Sequence, residues 1–85
     1  MKVGRYIHKY LDRSRIYKHE TCIEIRYYNI FIFVNYDTIN VYKADTKNPY
    51  KYTSTSYQMS MYKSDLNSII INIQTLNNIY HSEYN

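Results

Sequence analysis

Lys2, Arg5, Lys9 and Arg13 recur every three to four residues near the start of the sequence. At about 100° per helical residue they fall within an arc of about 80°, one ridge of a helix. Cations grouped in this way can engage phosphates or an acidic protein surface, although the same grouping also serves as a solvated helix face. Tyr6, Tyr10 and Tyr17 edge the ridge. They could stack on bases, but anchoring the helix on the sheet, as core contacts, is the expected use of their rings.

Tyrosine is the second feature with chemical potential. There are 13 tyrosines and only two phenylalanines, Phe31 and Phe33, although both residue types have AT-rich codons. Codon bias therefore does not explain the excess, and the hydroxyl itself is favoured. A sheet cannot bury all of Tyr27, Tyr28, Tyr36, Tyr42, Tyr50, Tyr52, Tyr57 and Tyr62. Exposed tyrosine supplies large rigid contact area at low entropic cost, which suits protein recognition. The residues expected to form such a surface are Tyr28, Tyr42, Tyr50 and Tyr52. Aromatic platforms also hold single-stranded nucleic acid, at about 1–3 kcal/mol per stacked base.

Signatures of catalysis and cofactor binding are sparse. With Gly4 as the sole glycine there is no phosphate-cradling loop, nucleotide fingerprint or nucleophile elbow. His19 and Cys22 could be imagined as base and nucleophile, but a cysteine entering a strand is ordinarily a small buried apolar residue. His8, His19 and His81 lack metal-ligand spacing and read as surface residues. Glu20 and Glu24 read as solvated charges flanking a strand. The expectation is a non-enzymatic chain with no metal and no cofactor.

The elements that must position these residues follow from periodicity. Val3, Tyr6, Ile7, Tyr10, Leu11 and Tyr17 keep helical spacing, predicting an amphipathic helix over 3–17. From Thr21 the period becomes two and leads into the continuous run Ile30–Val34, as in a strand moving to the centre of a sheet. Asn35–Thr38 has turn chemistry, and Ile39–Lys43 alternate again, giving a hairpin. Residues 44–49 break the pattern with the single proline, Pro49. Tyr50–Tyr62 suits an edge strand with one wet face. Ser64 as N-cap and Asp65 in the first turn then open a helix over 65–82, where Leu66, Ile69, Ile70, Ile73, Leu76 and Tyr80 keep the spacing, although the isoleucines at 69, 70, 71 and 73 also suit a strand. The predicted fold is one two-layer α+β domain over 1–85: an N-terminal helix, a three- or four-stranded antiparallel meander and a C-terminal helix.

A chain of 85 residues holds one core near the lower size limit for independent folding. The single cysteine, Cys22, excludes an intramolecular disulfide framework and fits a reducing, cytoplasmic compartment. Ile30–Val34, the longest apolar cluster, is far too short to span a bilayer. Residues 1–19 carry six Lys or Arg against Asp12, and the remainder is slightly acidic, so the net charge of +4 originates in the first segment. Ile, Asn, Tyr and Lys together make up 41 residues, which points to a low-GC genome of bacterial, phage or other mobile-element type.

In size, composition and tyrosine content the chain resembles in style the small inhibitors, anti-CRISPR proteins among them, that phages and mobile elements direct against host machinery. The expected partner is a host protein or nucleoprotein complex, engaged without chemistry. The alternative is a nucleic-acid-binding regulator that contacts phosphates through Lys2, Arg5, Lys9 and Arg13. In either case the edge strand over 50–62 could pair with its copy to give a homodimer.

Overall fold

In the computed structural model, residues 2–36, 38–45, 47–48, 50–60 and 65–84 are described. The order is α1 (Lys2–Tyr10), β1 (Arg15–Lys18), β2 (Ile23–Tyr27), β3 (Ile30–Val34), β4 (Thr38–Ala44), β5 (Tyr52–Ser60) and α2 (Leu66–Tyr84). The five strands form one antiparallel sheet in sequence order, a meander between an N-terminal and a C-terminal helix.

The sheet is wider than the expected three or four strands for two reasons: the stretch over 21–34, expected as one strand, turns at Tyr28 and Asn29 into β2 and β3, and the first helix is shorter than its periodicity suggests. Helical spacing continues to Tyr17, but α1 ends at Tyr10. The Ser14 hydroxyl donates to the His8 carbonyl at 3.1 Å and lies 2.8 Å from His8 Nδ1. The Ser14 N–H donates to the Leu11 carbonyl, and Arg13 turns the chain with a left-handed φ of 65°. A side chain that satisfies a terminal carbonyl stops a helix without glycine or proline. The chain then reverses into Arg15–Lys18, which pairs with β2 from Arg15↔Arg26 to Lys18↔Ile23.

One face of the sheet is aliphatic. Ile23 and Ile25 of β2, Ile30, Ile32 and Val34 of β3, and Ile39 and Val41 of β4 form the core with Ile7 and Leu11 and with Ile69, Ile73 and Tyr80 of α2. Burying each such side chain stabilises the fold by about 1.5–3 kcal/mol. Gly4 lets α1 approach closely, since a β-carbon there would lie 3.0 Å from Ile23 Cδ1 and 3.1 Å from its Cγ2.

Asp65 caps α2. Its Oδ1 accepts the Ser68 N–H at 2.8 Å, and Ser68 Oγ donates to Oδ2 at 3.0 Å. Further along α2, the buried Asn77 accepts the Asn29 N–H at 3.0 Å and ties the helix to the β2–β3 turn. Ser64, Met61 and Tyr62 lie outside the described residues, as do Asp37, Thr46 and Pro49.

Candidate functional site

The side chains that alternate away from the helices form a second surface, here called the open face. Register places two rows across the strands. One runs Arg15, Arg26, Phe31, Tyr42, and the other runs Tyr17, Glu24, Phe33, Asn40, Gln58. Phe31 and Phe33, two apart on the central strand, necessarily share this face. Tyr52, opposite Ala44 beyond a register irregularity in which β5 spends four residues against two of β4, joins them.

These residues make a continuous aromatic cluster. Tyr52 has its ring centroid 4.8 Å from Tyr42 and 5.4 Å from both Phe31 and Phe33, and Phe33 meets Tyr42 edge-on at 5.6 Å. Tilted and T-shaped arrangements at these distances let ring edges face ring faces. The Arg26 guanidinium lies 4.4 Å from the Tyr17 ring centroid and 5.1 Å from that of Phe31. Phe31 is thereby only 3% exposed on a face that neither helix covers, whereas Tyr52 stands at 48%.

Beside the cluster is a charged group that the sequence presents as solvated and the structure buries. Glu24 is 5% exposed. Arg26 Nε donates to its Oε2 at 2.7 Å, and His19 Nε2 meets its Oε1 at 2.6 Å. Burial works to raise the carboxyl pKa. The hydrogen bonds from Arg26 and His19, with their positive charge, overcome that effect and hold it below the usual carboxylate range. His19 arrives from the β1–β2 turn, which its N–H closes on the Cys22 carbonyl at 2.9 Å. His19 turns its ring to Glu24, while Cys22 lines a separate depression with Lys18 and Val34.

The basic residues do not form one helical ridge. Arg5 and Lys9 are exposed one turn apart on α1, but Arg13 lies beyond the end of the helix, and the Lys2 side chain is outside what is described. With exposed Arg15 and Lys18 of β1, they instead make a basic margin along the α1–β1 side of the molecule. Arg15 carries that margin onto the open face opposite Arg26.

The four expected tyrosines separate likewise. Tyr42 and Tyr52 meet on the open face. Tyr28 is 62% exposed in the β2–β3 turn with a φ of 50°, edge-on to Tyr27, and Tyr50 is 79% exposed in the β4–β5 connection. Tyr6 and Tyr10 pack together at 4.5 Å on α1, and the Tyr6 hydroxyl donates to Asn67 Oδ1 of α2 at 3.1 Å, so the pair reaches toward the other helix rather than anchoring α1 on the sheet, and Tyr10 stays half exposed. Tyr17 belongs to the sheet, under Arg26.

Among the described residues no three His, Cys, Asp or Glu side chains gather as metal ligands would, and no helix is long and apolar enough to cross a membrane. No family model, curated protein or solved structure matches the chain. Its site is therefore read from geometry.

Proposed function

We propose that this chain is a non-enzymatic binding protein that docks the open face of its sheet onto a host protein or nucleoprotein surface. The observation that carries this reading is the cluster of Phe31, Phe33, Tyr42 and Tyr52 on a face left uncovered by both helices. Interfaces with strong anchors place rigid aromatic and arginine side chains at their centre and polar groups at the rim. Here the rings are held by one another and by Arg26, Glu24 is neutralised by two partners, and Asn40 and Gln58 supply a polar margin. Little side-chain entropy remains to be lost on docking. Together with the low-GC composition, this suits an inhibitor of phage or mobile-element type, which would act inside the host cell by occupying a functional surface.

A second reading is single-stranded nucleic acid, and the basic margin of Arg5, Lys9, Arg13, Arg15 and Lys18 favours it. Phosphates would lie along the margin and bases on Tyr42 and Tyr52. Its affinity would fall steeply with salt.

Anisotropy titration of labelled single-stranded and duplex oligonucleotides at two salt concentrations separates the two. Under the protein reading, no binding appears near low micromolar even at low salt. Capture of a host protein is then lost in Tyr42→Ala/Tyr52→Ala and retained in Lys9→Glu/Arg13→Glu. Salt-dependent oligonucleotide binding that the charge-reversal variant loses would transfer the function to the basic margin.

A further inference from the structure

β1 is one edge of the sheet, and its ladder shows which of its residues face the free side. The His19 N–H donates to the Cys22 carbonyl and closes the β1–β2 turn, so the paired hydrogen bonds of the antiparallel ladder fall at Tyr17↔Glu24 and Arg15↔Arg26. Ile16 and Lys18 alternate with them and direct their N–H and C=O groups away from β2, where no backbone partner stands among the described residues. The register is unbroken over the four residues of the strand.

The same two residues line a depression in the surface. Ile16 and Lys18 lie opposite Ile25 and Ile23 of the core, on the helix side of the sheet. With Arg5 of α1 and Ile23 they line a space of about 180 Å³. Ile16 is 37% exposed there, an apolar side chain with cations beside it. On the other side of the strand Arg15 is exposed as well. None of Arg5, Arg15 and Lys18 has an acidic partner among the described residues, where both ion pairs belong to Glu24. A free backbone edge, an exposed isoleucine and three uncompensated cations thus converge on one strand.

The geometry points to β1 as the docking edge for an extended acidic segment of a partner protein. The segment adds a strand beside β1 by pairing with the outward groups of Ile16 and Lys18, sets an apolar side chain against Ile16, and turns carboxylates toward Arg5, Lys18 and Arg15. Charge selects that occupant. A second copy of β1 would set cations against cations, and cations on an edge repel strands of their own kind while attracting one of opposite sign. Nucleic acid would meet the cations but leave the outward N–H and C=O groups and Ile16 unmatched. The edge is separate from the cluster of Phe31, Phe33, Tyr42 and Tyr52, so a partner can use either surface without the other.

A labelled peptide of alternating valine and glutamate is the probe, with alternating valine and lysine as its control. Fluorescence anisotropy is expected to show binding of the first and not of the second, unchanged in Tyr42→Ala/Tyr52→Ala. Arg5→Glu/Lys18→Glu, at two exposed positions, is expected to weaken that binding about tenfold, since two attractions become repulsions. Amide hydrogen exchange followed by NMR reads the backbone pairing on the wild-type chain. Saturating peptide should slow exchange at Ile16 and Lys18 and leave Tyr17, already in the ladder, little changed. No binding at high micromolar peptide would overturn the inference, as would binding without slowed exchange at Ile16 and Lys18. So would a charge-reversal variant that is folded and binds as tightly as wild type. A single-stranded oligonucleotide that binds where the acidic peptide does not would assign the cations to phosphate and overturn it as well.

Discussion

The two faces of the sheet solve the same problem with different side chains. The helix face is covered by other elements, so it uses β-branched aliphatics that interdigitate with Ile7, Leu11, Ile69 and Ile73. The open face has no element above it and covers itself: Tyr52 over Phe31 and Phe33, Arg26 between Tyr17 and Phe31, His19 and Arg26 over Glu24. Phe31 and Glu24 show that near-complete burial does not require a second layer. The difference teaches that the first face is core and the second is a preorganised surface, and the two should respond differently to truncation.

The largest effect is expected on the helix face. Ile25→Ala or Ile32→Ala removes a side chain with no exposure, at about 2–5 kcal/mol each. For a domain of this size that is a large part of the whole stability, and urea unfolding should show a much lower midpoint or no cooperative transition.

On the open face Glu24→Gln should cost about 1–3 kcal/mol, because it strips the charge partner from Arg26 and leaves polar atoms poorly matched. This cost depends on pH. The carboxyl titrates lower in the folded chain than in the unfolded one, so its contribution is complete above the unfolded value of about 4.3 and disappears as pH falls through the folded value. Urea midpoints of wild type and Glu24→Gln should therefore converge on acidification through the carboxylate range. A constant gap would mean that the charge is not what matters.

The smallest effect sharpens the comparison most. Tyr52→Ala should cost only about 0.5–1.5 kcal/mol, the scale of aromatic pairing beyond area, while abolishing partner binding. If its unfolding midpoint drops as far as that of Ile32→Ala, the open face is a second core and the distinction fails.

Much of the helix face was legible in the sequence, because isoleucine periodicity is strong and each apolar run has one role. The helical spacing from Leu66 to Tyr80 is realised in α2, while the isoleucine run at 69–73, equally suited to a strand, left that choice to packing; the β3–β4 hairpin was readable from Asn35 to Thr38. The end of α1 was not, since the signal that stops it is a tertiary-like bond from Ser14 back to His8, while Leu11 and Tyr17 extend the helical rhythm past it. With that end went β1, which makes the sheet five-stranded, and the displacement of Arg13 from the ridge.

The open face was half legible. Phe31 and Phe33, and Glu24 and Arg26, stand at i and i+2, a spacing that already assigns each pair to one side of a strand. Which side would lack a helix depends on where the helices pack, and that is not written in any local pattern. The partnership of His19 with Glu24 depends on a turn whose geometry the residue types at 19–22 do not dictate.

The meander carries a consequence for how the protein is made. Every strand pairs with its neighbour in sequence, so the sheet can assemble hairpin by hairpin as the chain emerges, with little loop entropy to overcome and rapid closure. The cover for the centre of its aliphatic face, α2, is synthesised only after all five strands. A nascent chain therefore passes through a stage in which Ile30, Ile32, Val34, Ile39 and Val41 are arrayed but unroofed. Premature stops ahead of Leu66 should accordingly yield products held by chaperones or lost to aggregation.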